Sequence, residues 1–406
     1  MKAYERLIRY AEVSTASAED SGESPTTARQ FDLARLLAGE LLSIGVSDVE
    51  VSDSCYVYAH LPATAGLENA PCLGLIAHMD TSPDFSGENV KPRIIENYDG
   101  EDVPLGTSGR VLTHNMFPSL RRLKGRTLIV TDGTTLLGAD DKAGIAEIMT
   151  LLEKLIDDSA PHGRISVCFT PDEEVGCGTA HFDLKKLGAD FAYTLDGEEE
   201  GEVVFENFNA CAATVTFSGV NLHPGSSKDA MVNAGLVAME FNAMLPAGDT
   251  PRNTEGYEGF FHLISMSGTV EKSETRYIVR DHDAAKFEQR KDTLMHIEKL
   301  LNAKYGANTV RVALREQYRN MAEKIRPSYY HLVDNAIEAT RAAGVEPILR
   351  PIRGGTDGAQ LSWEGLPCPN LGTGGFGFHG PYEHISVEGM DKAVEILQNI
   401  VSIYAK

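Results

Sequence analysis

"TTLLGADDKAGIAEIM" occupies residues 134–149. An apolar stretch runs through a Gly-Ala step into two adjacent aspartates, Asp140 and Asp141, and then into a helical pattern. Ile145, Ile148, Met149, Leu152, Leu155 and Ile156 recur at the spacing of a buried helix face. Short apolar runs stand on either side: "CLGLIA" (72–77), "TLIV" (127–130), "ISVCF" (165–169) and "FAYTL" (191–195). Continuous apolar strands alternating with helices predict an α/β fold, a mainly parallel sheet covered by helices on both faces.

Further out, "TASAEDSGESP" (15–25) reads as a polar loop and 26–43 as a helix with Phe31, Leu33, Leu36, Leu37, Leu41 and Leu42 on its apolar face. The pattern changes near residue 207. "CAATVTF" alternates like a half-buried strand, "DAMVNAGLVAMEFNAML" is helical, and "FFHLISMSG" and "TRYIVRDH" read as strands. A long helix at 284–306 and the strand "NTVRVALREQ" follow. That order, βαββαβ, is a ferredoxin-like α+β unit. Helix 328–343, strand 346–350 and helix 387–405 then return to the first pattern. The expected organisation is a catalytic domain at 1–207 and 319–406, interrupted by a smaller domain at 208–318.

The chain has 406 residues, 42% of them apolar and 24% charged, with a formal net charge of −22. Such a balance disfavours a nucleic-acid or anionic-membrane surface, which needs a basic patch. The N-terminus has no apolar signal core, and no run is long enough to span a bilayer. The six cysteines (Cys55, Cys72, Cys168, Cys177, Cys211, Cys368) include no Cys-x-x-Cys pair and read as buried free thiols of a reducing compartment. A cytoplasmic protein is expected.

Chemistry-bearing residues collect at the ends of the apolar strands. "LIAHMD" ends in His78 and Asp80, "LLGADD" in Asp140 and Asp141, "CFTPDEEVG" in Glu173 and Glu174, "YTLDGE" in Asp196, and the late loop "GTGGFGFHGP" carries His379. Open α/β sheets gather ligands beyond the carboxyl ends of their strands. Singly, each signal is weak: His-x-Asp is commonly a surface pair, and acidic residues after a proline suit a solvated first turn. Together they place more buried carboxylates than nearby lysines can balance, at several kcal/mol each. Two zinc ions bring four positive charges, against three from Asp140, Glu174 and Asp196 and one from a bridging hydroxide. His78 and His379 add neutral donors that zinc accepts. If Asp140 bridges, each ion has one histidine, one further carboxylate and the shared water. Asp80, two residues from His78, is placed to hold the imidazole's other nitrogen. Glu173, about 100° round a helical turn from Glu174, is expected to act as general base.

At these residues the chain resembles the co-catalytic dizinc aminopeptidase/deacylase superfamily, with its bacterial tripeptide aminopeptidases the closer likeness. The likeness rests on "AHMDTSPDFSGENVKPRIIENYDG", "TDGTTLLGADDKAGIAEIM", "HPGSSKDAMVNA", "TEGYEGFFHL", "RGGTDGAQLSWEGLPCPNLGTGG" and "VEGMDKAVEIL". It implies two zinc ions per subunit, one on His78, Asp140 and Asp196, the other on Asp140, Glu174 and His379. It further implies Glu173 as base, Asp80 as the carboxylate behind His78, and His223 as an oxyanion donor. Arg280 and Arg353 match positions near the substrate's charged ends. The small domain is implied to be a lid and homodimerisation domain, and the Asp140–Asp141 peptide to be cis. Asp141 is expected to lie off the metals, and Lys142 to be solvated or paired at the helix start. The implied activity is removal of the N-terminal residue from tripeptides by a metal-bridging hydroxide.

Rival readings are weaker. "GTGGFG" (372–377) has the letters of a dinucleotide fingerprint, but Phe-His-Gly-Pro follows where a helix is required. No His-Glu-x-x-His, Gly-x-Ser-x-Gly or P-loop occurs. A dipeptidase or N-acyl-amino-acid deacylase on the same dizinc site is the alternative within enzymes; a binding protein on a dead hydrolase scaffold would have lost a ligand or the base. His162 and His296 are expected at the surface.

Overall fold

The structure is a computed structural model that describes residues 1–19, 21–106 and 108–405, so residue 20 of the expected 15–25 loop lies outside it. The chain forms two compact units: Met1–Phe205 with Met321–Arg350 and Thr356–Lys406, and Glu206–Asn320 with Pro351–Gly355.

The first unit is built on an eight-stranded sheet. In chain order its strands are β1 (Asp48–Val51), β2 (Val57–Leu61), β3 (Leu73–His78), β4 (Ile165–Thr170), β5 (Phe191–Gly197), β6 (Glu202–Val204), β7 (Ile348–Leu349) and β8 (Asn370–Gly372). Across the sheet the order is β1-β2-β4-β3-β5-β8-β6-β7. The β4/β3, β3/β5, β5/β8 and β6/β7 pairs are parallel; β1/β2, β2/β4 and β8/β6 are antiparallel. Every residue of β3 and β4 is buried, as unbroken apolar runs require of strands covered on both faces. His78 pairs with Thr170, and Ile76 with Thr194, so β3, β4 and β5 finish along one edge. The residues that follow them therefore crowd together.

Helix Ala139–Asp157 packs against β3 and β5. Its glycine at 144 is obligatory: a Cβ there would lie 2.2 Å from the Leu195 carbonyl oxygen of β5 and 2.5 Å from Asp141 Oδ1. The helix opens irregularly. Gly138 is left-handed, Asp140 and Asp141 have non-helical dihedrals, and the peptide between them is cis.

Two local expectations are corrected. "TLIV" does not join the main sheet. Leu128–Val130 pairs antiparallel with His384–Ser386 and Arg93–Ile95 in a separate four-stranded sheet. A three-residue apolar run fixes burial but not its partner, which here comes from far along the chain. The expected helix at 26–43 starts at Gln30, after a turn that contains a cis Ser24–Pro25 bond.

The second unit has the βαββαβ order: Asn209–Ser218, Ala234–Ala243, Phe260–Gly268, Lys272–Asp281, Ala284–Tyr305 and Val310–Tyr318. Its antiparallel sheet runs Phe260–Gly268, Lys272–Asp281, Asn209–Ser218, Val310–Tyr318. Alternate residues Cys211, Ala213, Val215 and Phe217 meet Val237 and Phe241 of one helix and Leu294 and Ile297 of the other in a core of its own. Among the described residues no helix is long and apolar enough to cross a membrane.

Candidate metal centre

β3 delivers His78 at its last residue, with the ring buried. Its Nε2 lies 2.9 Å from Asp140 Oδ1 and 3.7 Å from Asp196 Oδ1. On the other side of Asp140, His379 Nε2 lies 3.2 Å from Asp140 Oδ2 and 2.9 Å from Glu174 Oε2. Asp140 thus turns one oxygen to each histidine, and each histidine has a second carboxylate beside it. One group of potential ligand atoms, from His78, Asp140 and Glu174, lies within 4.8 Å of one another.

The neighbouring carboxylates are used differently. Asp80 Oδ1 is 3.3 Å from His78 Nδ1, although the Asp80 backbone carbonyl is nearer, at 3.0 Å. The same carboxylate accepts the backbone N–H groups of Glu173 (3.0 Å) and Glu174 (3.2 Å). One side chain therefore fixes both an imidazole and the turn that bears two further acids. That turn is not the helix start expected from Pro-Asp-Glu-Glu. It is a single 3₁₀ turn, Glu173–Val175, between left-handed Asp172 and Gly176. At about 120° per residue it still sends Glu173 and Glu174 in different directions. Asp172 anchors it by accepting Thr26 N–H and the Gln30 side-chain amide.

Asp141 also comes within 4.8 Å of His78 and Asp196. Its oxygens, however, accept the backbone N–H groups of His78 (3.1 Å) and Gly144 (3.2 Å). It braces the helix start against β3, which separates its task from that of Asp140.

Electrostatics follow from this crowding. Burial pushes the Glu173 carboxyl well above its ordinary range, and the Asp196 charge adds to it. Burial and the Asp140 charge lift Glu174 to about 7. Burial raises Asp196 as well. Asp140 moves the other way: burial opposes its charge, but hydrogen bonds accepted from His379 and His78 hold it below the usual carboxylate range. Hydrogen bonds that the His379 ring donates to Asp140 and Glu174 raise it to about 11.

His223, Arg280 and Arg353 belong to the second unit. His223 is exposed on a turn, with Nδ1 accepting Gly225 N–H at 3.2 Å, which leaves the ring's proton on Nε2. Arg280 is nearly buried, its guanidinium over the Tyr318 ring at 5.2 Å and donating to the Val279 carbonyl at 3.1 Å. Arg353 donates to the carbonyls of Gly256 and Glu258, both at 2.9 Å, and to Thr254 Oγ1 at 2.8 Å.

Several side chains escaped sequence reasoning. Glu383 accepts backbone N–H groups from Leu137, Gly138 and Asp140. Asp357, which follows "GGT" and opens the helix Asp357–Glu364, accepts Thr170 Oγ1–H at 2.7 Å, and its Oδ1 would sit 2.1 Å from a Cβ on Gly178. It therefore touches both ends of the segment that carries Glu173 and Glu174. Lys142 is not solvated: it is buried, donates to the Val13 carbonyl at 2.8 Å, and burial lowers it to about 8. His162 is buried rather than at the surface, with Nδ1 2.7 Å from the Gly163 carbonyl, and Cys177 alone among the cysteines is exposed. Only the "HGPYE" and "RGGTDG" spacing near His379 and Arg353 hinted at Glu383 and Asp357.

Residues 132–402 match the family described as "Peptidase family M20/M25/M40". A curated relative from Clostridium perfringens, "Peptidase T", is 52% identical over 406 residues, covering 100% of this chain and 99% of the relative. A "Peptidase T" from Geobacillus kaustophilus is 51% identical over 402 residues, 98% of this chain and 97% of that one. Among solved structures, the aminopeptidase PepT of Bacillus cereus superposes with a TM-score of 0.80 at 22% identity, over 100% of this chain and 98% of that one.

Proposed function

This chain belongs to peptidase family M20/M25/M40, within its peptidase T group, and from that premise we propose a dizinc aminopeptidase that removes the N-terminal residue of tripeptides. The observation that carries the reading is Asp140, with one oxygen facing His78 beside Asp196 and the other facing His379 beside Glu174. The donor set fits a pair of dications. Glu174 Oε1 is buried without a hydrogen-bond partner, and the acids at this edge outnumber the cations beside them. His78, Asp140 and Asp196 would hold one ion and Asp140, Glu174 and His379 the other; two imidazoles among carboxylates suit zinc.

When bound, such a pair supplies Lewis acidity that activates water and polarises the scissile carbonyl. The chain's own residues do the rest. Glu173 takes the proton of the attacking water and returns it to the leaving amine. Asp80 holds the His78 ring and the Glu173 turn in one register. His223 Nε2–H is the donor assigned to the developing oxyanion. Arg280 and Arg353 are assigned to the peptide's terminal carboxylate.

We place the protein in the cytoplasm, on the reducing-compartment reading of its cysteines. We also propose a homodimer through the second unit. What supports that is an edge strand, Phe260–Gly268, with Ile264 and Met266 exposed, and the exposed Leu236 and Met239 on the adjoining helix.

The test is a turnover panel on zinc-loaded protein: di-, tri- and tetrapeptides with free or acetylated amines. Release of the first residue from free tripeptides is expected. Preference for dipeptides or acetylated amino acids would replace the reading with the dipeptidase or deacylase alternative.

A further inference from the structure

Helix Ala139–Asp157 has no cap of its own. Its N-cap residue, Gly138, has no side chain and sits at φ 77°, and the turn before it leaves backbone N–H groups pointing outward. Those groups converge on a carboxylate from far along the chain. Glu383 Oε2 accepts Leu137 N–H at 2.6 Å and Gly138 N–H at 2.8 Å, while Oε1 accepts Asp140 N–H at 3.0 Å. The side chain is 1% exposed, so no water competes for these bonds. A run of N–H groups through a left-handed residue forms a nest suited to an anion, and the helix N-terminus favours the same charge.

The position of Glu383 matters as much as its bonds. It stands four residues after His379, itself left-handed at φ 62°, and its own N–H donates to the Gly380 carbonyl at 3.3 Å. One side chain thus ties the loop bearing His379 to the turn bearing Asp140, whose side chains meet at 3.2 Å. We propose that Glu383 is a positioning residue for the metal centre: by gripping the backbone of the Leu137–Asp140 turn it sets the distance between Asp140 and His379. This rests on the dizinc reading above.

The two oxygens of Glu383 do separable things. Oε2 caps the turn at Leu137 and Gly138; Oε1 alone holds Asp140. Glu383→Gln keeps the length and one carbonyl oxygen, which suffices for the cap, but turns an NH₂ toward the Asp140 N–H. Glu383→Ala removes both functions. A purely structural cap predicts that Gln restores what Ala loses. A positioning role predicts that Gln restores the melting temperature but not the metal site.

The test titrates cobalt(II) into chelated parent and variants, well below each melting temperature, and follows the visible d–d absorption and the affinity of each ion. Turnover of a tripeptide is measured in parallel. The parent is expected to take up two ions per chain. Glu383→Gln is expected to bind the more weakly held ion about 10–100-fold less tightly, with an altered spectrum and a lower kcat at similar KM. If the parent takes up fewer than two ions, the dizinc reading fails, and this inference with it. If the parent takes up two and Glu383→Gln matches it in both affinities, spectrum and kcat, the dizinc reading stands and the role of Glu383 is overturned. Should Ala fail to fold, the Gln comparison decides alone.

Discussion

Replacing Gly144 by alanine tests the packing that brings the metal-centre aspartates to β5. The new Cβ would lie 2.2 Å from the Leu195 carbonyl oxygen, 2.5 Å from Asp141 Oδ1 and 2.9 Å from Leu195 Cβ. Ordinary contact begins near 3.5 Å, so helix and strand must part by about 1 Å. Neither neighbour yields freely: one is a backbone carbonyl inside a sheet, and the other is held by the N–H groups of His78 and Gly144. Overpacking of this kind destabilises by about 1–3 kcal/mol. The larger effect is on catalysis. Asp140 and Asp141 ride on the helix and Asp196 on β5, so the shift separates ligands on opposite walls of the centre. Misplacement by about 1 Å costs about 10²-fold in rate. Gly39→Ala is the control. Gly39 is exposed in helix Gln30–Ser43, and nothing lies within 4 Å of where its Cβ would stand. That change should raise stability by about 0.5–1 kcal/mol and leave turnover alone. The assay pairs thermal melts with kcat on metal-loaded protein. Parental melting temperature and kcat in Gly144→Ala would refute the close approach of this helix to β5.

Further predictions concern the base, the buried ion pair and a buried histidine. Glu173→Gln should lower kcat by about 10²–10⁴-fold while metal content, measured by elemental analysis, stays at the parental level. Arg6 is 1% exposed and its Nε donates to Glu40 Oε1 at 2.7 Å, so Arg6→Met leaves buried Glu40 with only Tyr10 Oη–H at 3.0 Å and the half-exposed Arg9 at 3.3 Å, and should destabilise by about 1–3 kcal/mol in urea titrations, with the metal centre unaffected. His384 is fully buried between Phe376 and Phe117, and burial lowers it from 6.5 to about 4. Because its folded value is depressed, the unfolded chain binds the proton more readily, and stability falls as pH drops from 6.5 towards 4, by roughly 3 kcal/mol in total. His384→Phe should flatten that part of the stability–pH curve; an unchanged slope would show that the ring takes up its proton equally in the folded and unfolded chain.

The legible part of this protein was carried by period and by strand ends. Apolar runs announced β3, β4 and β5, and the residues at and just beyond their ends, His78, Asp80, Glu173, Glu174 and Asp196, lie on one edge because parallel strands with matched register must end together. The ferredoxin-like order of the second unit was legible for the same reason, since alternation along Asn209–Ser218 gives its face directly. Pairing was not legible. Nothing within Leu128–Val130 names His384–Ser386 as its neighbour, and a strand this short carries too few side chains to specify one. Burial of His162 and Lys142 was missed because each is satisfied by a backbone carbonyl, an acceptor that every residue offers.

The acids themselves show the deeper limit. Asp140, Glu174 and Asp196 turn oxygens to histidines, whereas Asp141, Asp172 and Glu383 turn theirs to backbone N–H groups, as Asp80 does while one of its oxygens also faces His78 Nδ1. By residue type the two sets are the same, and by position they are interleaved: Asp140 beside Asp141, Glu174 two residues after Asp172. What separates them is the backbone around each. The turn at Gly138 presents N–H groups to Glu383, and the turn between Asp172 and Gly176 presents those of Glu173 and Glu174 to Asp80, while Asp141 accepts from His78 and Gly144. A site with this many carboxylates can remain folded because backbone N–H groups satisfy Asp80, Asp141, Asp172 and Glu383 and burial raises the proton affinity of most of the acids, whereas Asp140, faced by both histidines, is held below the usual carboxylate range. Substituting an acid from the second set should therefore disturb geometry before charge, and substituting one from the first should remove a ligand while leaving every turn in place.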